Sequence, residues 1–257
     1  MSDFNPTPQR QKQILSLLAR QGRLSVTEIV ERFSISEATA RRDLESLASQ
    51  GKAQRVHGGV IAIEQAPPEL PILEREGEQP EEKARIGRAA ASLIADKETV
   101  FLGSGTTVLE VARNLRDRHN LTVITNSLPV MNTLAGAKEI TVISLGGMLR
   151  ESELSFIGHL TEQALAELRA DKVIIGARAV SLEQGLTNDY LPETMTDRAI
   201  LKVGREVVLV ADHSKINRVS TTFLAPLTDV HKLVTDRGSP RSFIAALKVH
   251  GIHVVVV

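Results

Sequence analysis

The sequence predicts an α/β protein in two unequal parts, a winged helix-turn-helix followed by a mostly parallel α/β domain. Three observations carry that reading. Short amphipathic helical patterns crowd the first fifty residues. A Pro- and Glu-rich stretch at 64–80, EQAPPELPILEREGEQP, then interrupts all periodicity. Beyond it, short β-branched runs alternate with helical stretches, as in a parallel sheet covered on both faces. The 257 residues thus divide into a head at 1–63, a linker at 64–80 and a body at 81–257.

In the head, Gln9 to Gln21 carries Ile14, Leu17 and Leu18 on one helical face, and Gly22 ends the pattern. Ser25-Val-Thr-Glu28 has the capping-box form, in which hydroxyl and carboxylate reach reciprocally for free N–H groups. Val26, Ile29, Val30 and Phe33 mark the buried face of a second helix, ending near Ser34. Ser36 is the N-cap of a third, with Glu37 near the positive end of its dipole and Gly51 as its stop. Ala40, Leu44 and Leu47 share one face of this third helix, and Arg42 points the opposite way, flanked by Thr39 and Arg41. Two short helices joined by so tight a turn form a helix-turn-helix, and a basic, hydroxyl-bearing front fits a DNA major groove. The run KAQRVHGGVIAI, with Gly58-Gly59 at a turn, reads as a β-hairpin wing. Arg55 and His57 on it are placed to reach phosphate or the minor groove. Ser25, Ser36, Glu37, Thr39, Arg41, Arg42, Arg55 and His57 are therefore the candidate contacts to double-stranded DNA.

The bulk numbers narrow the alternatives. Charge balances at 31 basic and 31 acidic residues, so no global field advertises nucleic acid. Up to Gly58, nine basic residues stand against six acidic ones, a local excess that agrees with the head's role. The absence of cysteine excludes disulfides, thiolate metal sites and a Cys nucleophile, and neither a metal nor a cofactor is expected. The opening MSDFNPTPQR has no apolar core of a signal peptide, and no apolar run approaches membrane-spanning length. A soluble cytoplasmic protein is expected. With no Trp and one Tyr, stacking on single-stranded nucleic acid is not.

In the body, Ile86, Ala89, Ala90, Leu93 and Ile94 give a first helix. Strands are expected at 99–102, 121–125, 140–145, 172–176, 206–211, 232–235 and 252–257, with helices at 106–118, 128–135, 159–169, 192–204 and 240–250. Sites in open parallel sheets gather at the carboxyl ends of strands, which selects a few loops. Gly103-Ser104-Gly105-Thr106-Thr107 follows a strand and opens a helix, a form suited to holding phosphate on backbone N–H groups. Thr125-Asn126-Ser127 follows the next strand, and Gly146-Gly147 the third, with Arg150 nearby. Asp212-His213-Ser214-Lys215 follows the run EVVLVA, and Lys215 suits a phosphate or acid–base work. A phosphorylated small molecule is the natural ligand.

The combined order SEATARRDLESL, Gly51 and Arg55-Val-His57-Gly58-Gly59 resembles the DeoR family of bacterial transcriptional regulators. The resemblance continues through Gly105 to Thr107, Thr125 to Ser127, Gly146-Gly147, Gly158 and Asp212 to Lys215, and so covers nearly the whole chain. It implies a sugar-phosphate effector domain similar in fold to ribose-5-phosphate isomerase and CoA transferases. It also implies a repressor of carbohydrate-metabolism genes. A single small winged helix reads few base pairs, so a homo-oligomer, dimer or tetramer, is expected. Ala40 stands where the family usually has a larger aliphatic residue. Family members commonly have an acidic residue at the position of Gly103, and a Gly-x-Asp-Gly run where this chain reads Gly176-Ala-Arg178-Ala. With two carboxylates gone and a guanidinium arrived, the pocket is expected to favour a more anionic ligand or one with fewer hydroxyl contacts; Arg178 is equally placed to face a subunit partner. Ser104, Gly105, Thr106, Thr107, Asn126, Ser127, Gly146, Gly147, Arg150, Arg178, Glu193 and Lys215 form the candidate effector site. Two other functions stay open. An isomerase with an attached DNA module would use Lys215 and Glu193, although resemblance to the isomerase implies acidic residues around Gly176–Ala179, where Arg178 sits. An adaptor would use the winged helix as a docking surface.

Overall fold

The structure, a computed structural model, describes residues 7–62 and 64–257. The first six residues and residue 63, the expected end of the head, lie outside the described residues. The head consists of α1 (Thr7–Gln21), β1 (Arg23–Ser25), α2 (Val26–Phe33), α3 (Glu37–Ser49), β2 (Ala53–Val56) and β3 (Gly59–Ala62). The capping box at Ser25 forms as its sequence demands: Glu28 N–H donates to Ser25 Oγ, and the Glu28 carboxylate accepts from Ser25 N–H. Ser34 takes the left-handed conformation, ending α2, and Ser36 caps α3 through Thr39 N–H. Ile14, Leu18, Ile29, Ala40, Leu44 and Leu47 close one small apolar core.

The wing differs from expectation in two ways. Its two-residue turn is His57-Gly58, because Val56 pairs with Gly59. It also has a third strand, since β1 pairs with β3 and puts β3 in the middle. Three residues were too few to show period-2 alternation.

The stretch 64–80 holds β4 (Glu64–Gln65) and α4 (Ile72–Arg75), then leads into α5 (Pro80–Ser92). It is no bare spacer. Gln65 pairs with Val219 and the Ile72 N–H donates to the Ser152 carbonyl, so the body holds it at both ends.

The body alternates as the sequence indicates. Its elements begin with β5 (Thr99–Leu102), α6 (Thr106–Arg113), β6 (Leu121–Thr125), α7 (Leu128–Leu134) and β7 (Ile140–Ser144). There follow β8 (Met148–Arg150), β9 (Ser155–Ile157), α8 (His159–Ala166), β10 (Ala170–Ile175), β11 (Ala179–Ser181), β12 (Gly185–Asn188) and α9 (Leu191–Leu201). The chain ends with β13 (Gly204–Val210), β14 (Arg218–Val219), β15 (Thr222–Ala225), β16 (Lys232–Thr235), α10 (Arg241–Val249) and β17 (His253–Val256). Seven strands form one parallel sheet in the order β17-β16-β13-β10-β5-β6-β7. Alternate residues feed opposite cores: Phe101, Val173, Val207 and Leu233 on one face, Val100, Leu102, Ile174, Val208 and Val234 on the other. The chain runs outward from β5 to β7, then returns to lay β10 on the other side of β5. That reversal opens a crevice between the carboxyl ends of β5 and β10, where open α/β sheets bind ligands.

Candidate functional site

On the head, Arg41 and Arg42 are exposed on the side of α3 away from Ala40, Leu44 and Leu47. Arg41 donates to Glu37 one turn earlier, at 2.5 Å. Thr39 shares a hydroxyl contact with Ser36, at 2.9 Å. His57 is exposed at the wing turn. Arg55 is turned back instead: its guanidinium donates to the Gly59 carbonyl, and its main-chain N–H donates to the Glu183 carboxylate at 3.0 Å. Asp43, in the middle of the Arg-Arg-Asp-Leu run, is buried, and its Oδ2 lies 2.5 Å from Arg10 Nε. It ties α1 to α3 and faces away from any ligand.

In the body, one cavity of about 70 Å³ lies at the crevice. Ser104, Gly105, Thr106 and Thr107 line it from β5, Arg178 from β10, Lys215 from β13, and Glu193 from α9. Gly105 has φ 105° and gives α6 no side-chain cap, so the first N–H groups of α6 face the cavity without one. Lys215 is pressed toward its neutral form by burial, against the pull of Asp212.

The other loops do not reach it. Asn126, Ser127, Gly146, Gly147 and Arg150 are absent from the lining, a correction to the expected site. They follow β6 and β7 or lie beyond, on the far side of β5 from the crevice. Each has a structural task. Ser127 caps α7, and Asn126 exchanges hydrogen bonds with Phe156 on β9. The Gly146 carbonyl accepts from Thr161. A Cβ on Gly147 would meet Thr161 Oγ1 at 2.2 Å, so only glycine fits. Arg150 backs the cavity wall: it donates to Glu193, lies 3.8 Å from Asp189 and sits 4.7 Å above the Tyr190 ring.

Several lining residues went unread. Lys83 is one, and it had a signal, because it falls on the same face of α5 as Ile86, Gly87 and Ala90. Its Nζ donates to the Arg75 carbonyl, and burial lowers its pKa. Glu69, Arg75, Glu153, Asn188 and Asp197 gave no periodic signal. Arg178 belongs to the cavity wall; at 7% exposure it does not face a subunit surface. Its Nη1 lies 3.4 Å from Glu69 and its Nε 3.5 Å from Asp189. Carboxylates therefore return to this pocket, from the 64–80 stretch and from α9, although the positions of Gly103 and Arg178 lack them.

Two of those carboxylates have raised pKa values. Burial pushes Asp197 up to about 7, against the hydrogen bond it accepts from Asn188. Burial, with Asp197 beside it, holds Glu193 well above the usual range. An unfolded chain releases these protons near pH 4, so the folded state binds more of them between about pH 4 and 7. Stability is expected to fall as pH rises through that window and to level off above it. Asp197→Asn should flatten the decline in Tm against pH; a variant profile parallel to wild type would mean that Asp197 ionises as it does in water. Among the described residues, no group of three or more His, Asp or Glu is arranged to hold a metal. No helix among them is long and apolar enough to cross a membrane.

Residues 10–66 match the DeoR-like helix-turn-helix domain, and residues 78–237 match the DeoR C-terminal sensor domain. The chain belongs to the DeoR family. Two relatives span almost its full length. The transcriptional repressor AccR of Agrobacterium fabrum is 38% identical over 92% of this chain and 92% of its own. The glycerol-3-phosphate regulon repressor of Escherichia coli is 36% identical over 95% of this chain and 96% of its own. Among solved structures, ribose 5-phosphate isomerase A of Methanocaldococcus jannaschii covers 52% of this DeoR-family chain and 53% of its own, at 19% identity and a TM-score of 0.39.

Proposed function

We propose that this protein is a transcriptional repressor of carbohydrate-metabolism genes whose hold on operator DNA is set by a phosphorylated sugar or related metabolite in the cavity. One observation supports this most directly. The β11–β12 hairpin has its base at the cavity, where Arg178 N–H faces Asn188 Oδ1 at 3.4 Å, and its tip at the wing, where Glu183 accepts from Arg55 N–H. A ligand that shifts Arg178 or Asn188 acts on a short, stiff lever whose other end holds the head. The head at 1–63 reads double-stranded DNA through α3, the body at 81–257 senses, and the protein works beside its DNA in the cytoplasm. One winged helix reads few base pairs, so two or four copies act on paired half-sites. Catalysis has no part in this reading: Glu193, the available acid, is engaged by Arg150. The name of the glycerol-3-phosphate repressor makes glycerol 3-phosphate the first effector to try.

The test has two stages. Genomic selection identifies an operator, and fluorescence anisotropy then measures its affinity with and without glycerol 3-phosphate and a panel of sugar phosphates. One of them should change DNA affinity by about 5- to 150-fold, the usual range of allosteric coupling. Glu183→Ala should keep ligand binding but shrink that factor, since it severs the lever at its tip. No operator, or turnover of ribose 5-phosphate by the purified protein, would count against the proposal.

A further inference from the structure

The stretch between β4 and α4 places a carboxylate inside the cavity. Glu69 Oε1 lies 2.9 Å from Arg75 Nη1 and 3.4 Å from Arg178 Nη1, and its side chain is 11% exposed. Both guanidiniums are buried, and each is positioned without Glu69. Arg75 also pairs with the buried Glu153 and donates to the Leu70 carbonyl. Arg178 stands over Asp189, and among the described residues its Nε and Nη2 make no hydrogen bond. The cavity thus has two separate anion-seeking features. One is the uncapped start of α6 with Lys215 beside it, and the other is the Arg75–Arg178 pair. In this structure Glu69 fills the second.

Glu69 sits on a short strap between β4 and α4. Pro67, Pro68 and Pro71 stiffen it. Its ends are tied by the Ala66 N–H to the Val219 carbonyl at 2.9 Å and by the Ile72 N–H to the Ser152 carbonyl at 2.7 Å. Between these ties the strap borders an outer space of about 500 Å³, lined by Pro67, Pro68, Leu70, Arg178 and Lys215. That space opens beside the inner cavity and shares Arg178 and Lys215 with it.

We infer that Glu69 stands in for a second anionic group of the ligand: the cavity takes a small phosphorylated molecule that also carries a carboxylate or a second phosphate. The phosphate takes the α6 end, and the second anion takes the Arg75–Arg178 pair as Glu69 swings out. This rests on the reading of the cavity as a phosphate site. A carboxylate matches the planar fork of a guanidinium, and a tethered carboxylate of the same charge competes with it directly. A neutral tail cannot repay the loss of Glu69 from two buried cations, so the strap discriminates against plain monophosphates. Because the strap leads from the head into the body, expelling Glu69 also loosens the segment that joins them.

The test is isothermal titration of the full chain with two probes of equal carbon count. These are 3-phosphoglycerate, which carries phosphate and carboxylate, and glycerol 3-phosphate, which lacks the carboxylate. Wild type is compared with Glu69→Gln, a near-isosteric change that leaves Arg75 with Glu153 and Arg178 with Asp189. Glu69→Asp, which keeps the charge but shortens its reach, serves as the second variant. Glu69→Gln should improve 3-phosphoglycerate binding about tenfold more than it improves glycerol 3-phosphate binding, and Glu69→Asp should gain less. Binding of both probes with equal gains, or with none, would overturn this inference alone. Failure of both probes to bind any of the three proteins would overturn the phosphate site itself, and the inference with it.

Discussion

An Asp43→Ala variant should lose about 3 kcal/mol of stability in the head, the scale set by breaking one side of a buried ion pair. Asp43 lies between Arg42 and Leu44 in a run that reads as a DNA-contact motif, yet its side chain is 4% exposed. It receives Arg10 Nε at 2.5 Å and Gln11 Nε2 at 3.4 Å, both from α1. The guanidinium of Arg10 stays buried after the substitution, and the carboxylate that ties α1 to α3 is gone. The loss should therefore appear where α1 and α3 meet. Hydrogen exchange in the full chain would show it as faster exchange over 7–21 and 37–49, with the body unchanged. Exchange at the wild-type rate in those two helices would remove Asp43 from the framework and return it to the surface chemistry its motif suggests.

The strands of the body were legible because they are buried on both faces. Runs such as TVFL and LTVIT have few polar residues to blur them, and the strands at 99–102, 121–125 and 232–235 fall where the runs do. The β8–β9 hairpin and the small β11-β12-β15 sheet were not legible, since their short strands mix polar and apolar residues without a strict period. The site was half visible for a different reason. The rule that ligands gather at carboxyl ends selects every strand-to-helix loop alike. Sheet order decides among them, and the sequence does not disclose that β10 returns to the flank of β5. The loops after β5, β10 and β13 adjoin the crevice, whereas those carrying Asn126 and Gly147 do not. Proline content likewise said that 64–80 forms little regular structure, but nothing in it said that Glu69 and Arg75 fold into the cavity.

Arg42→Ala should weaken operator binding by about 5- to 150-fold, or roughly 1–3 kcal/mol, the worth of a good base contact. The apolar back of α3 fixes which way this residue points. Ala40, Leu44 and Leu47 are fully buried against the head core, so the opposite side must carry any groove contact. Among the described residues the Arg42 side chain has no hydrogen bond or ion pair to give up, and the variant should fold as wild type does. Arg41 differs, because its exposed pair with Glu37 has to open before it can meet DNA, at a cost of about 0.3–0.5 kcal/mol. Arg41→Ala should therefore cost less than Arg42→Ala. Salt dependence separates the two kinds of contact. If Arg42 reads a base, its loss relaxes preference at one operator position and leaves the slope of log affinity against log salt nearly unchanged. If it only neutralises phosphate, the loss is uniform across sequences and the slope falls by about 1. Anisotropy titrations on the operator and on single-base variants, at several salt concentrations, decide between these outcomes. Wild-type affinity with a wild-type slope would take Arg42 out of the interface and leave α3 without its reading residue.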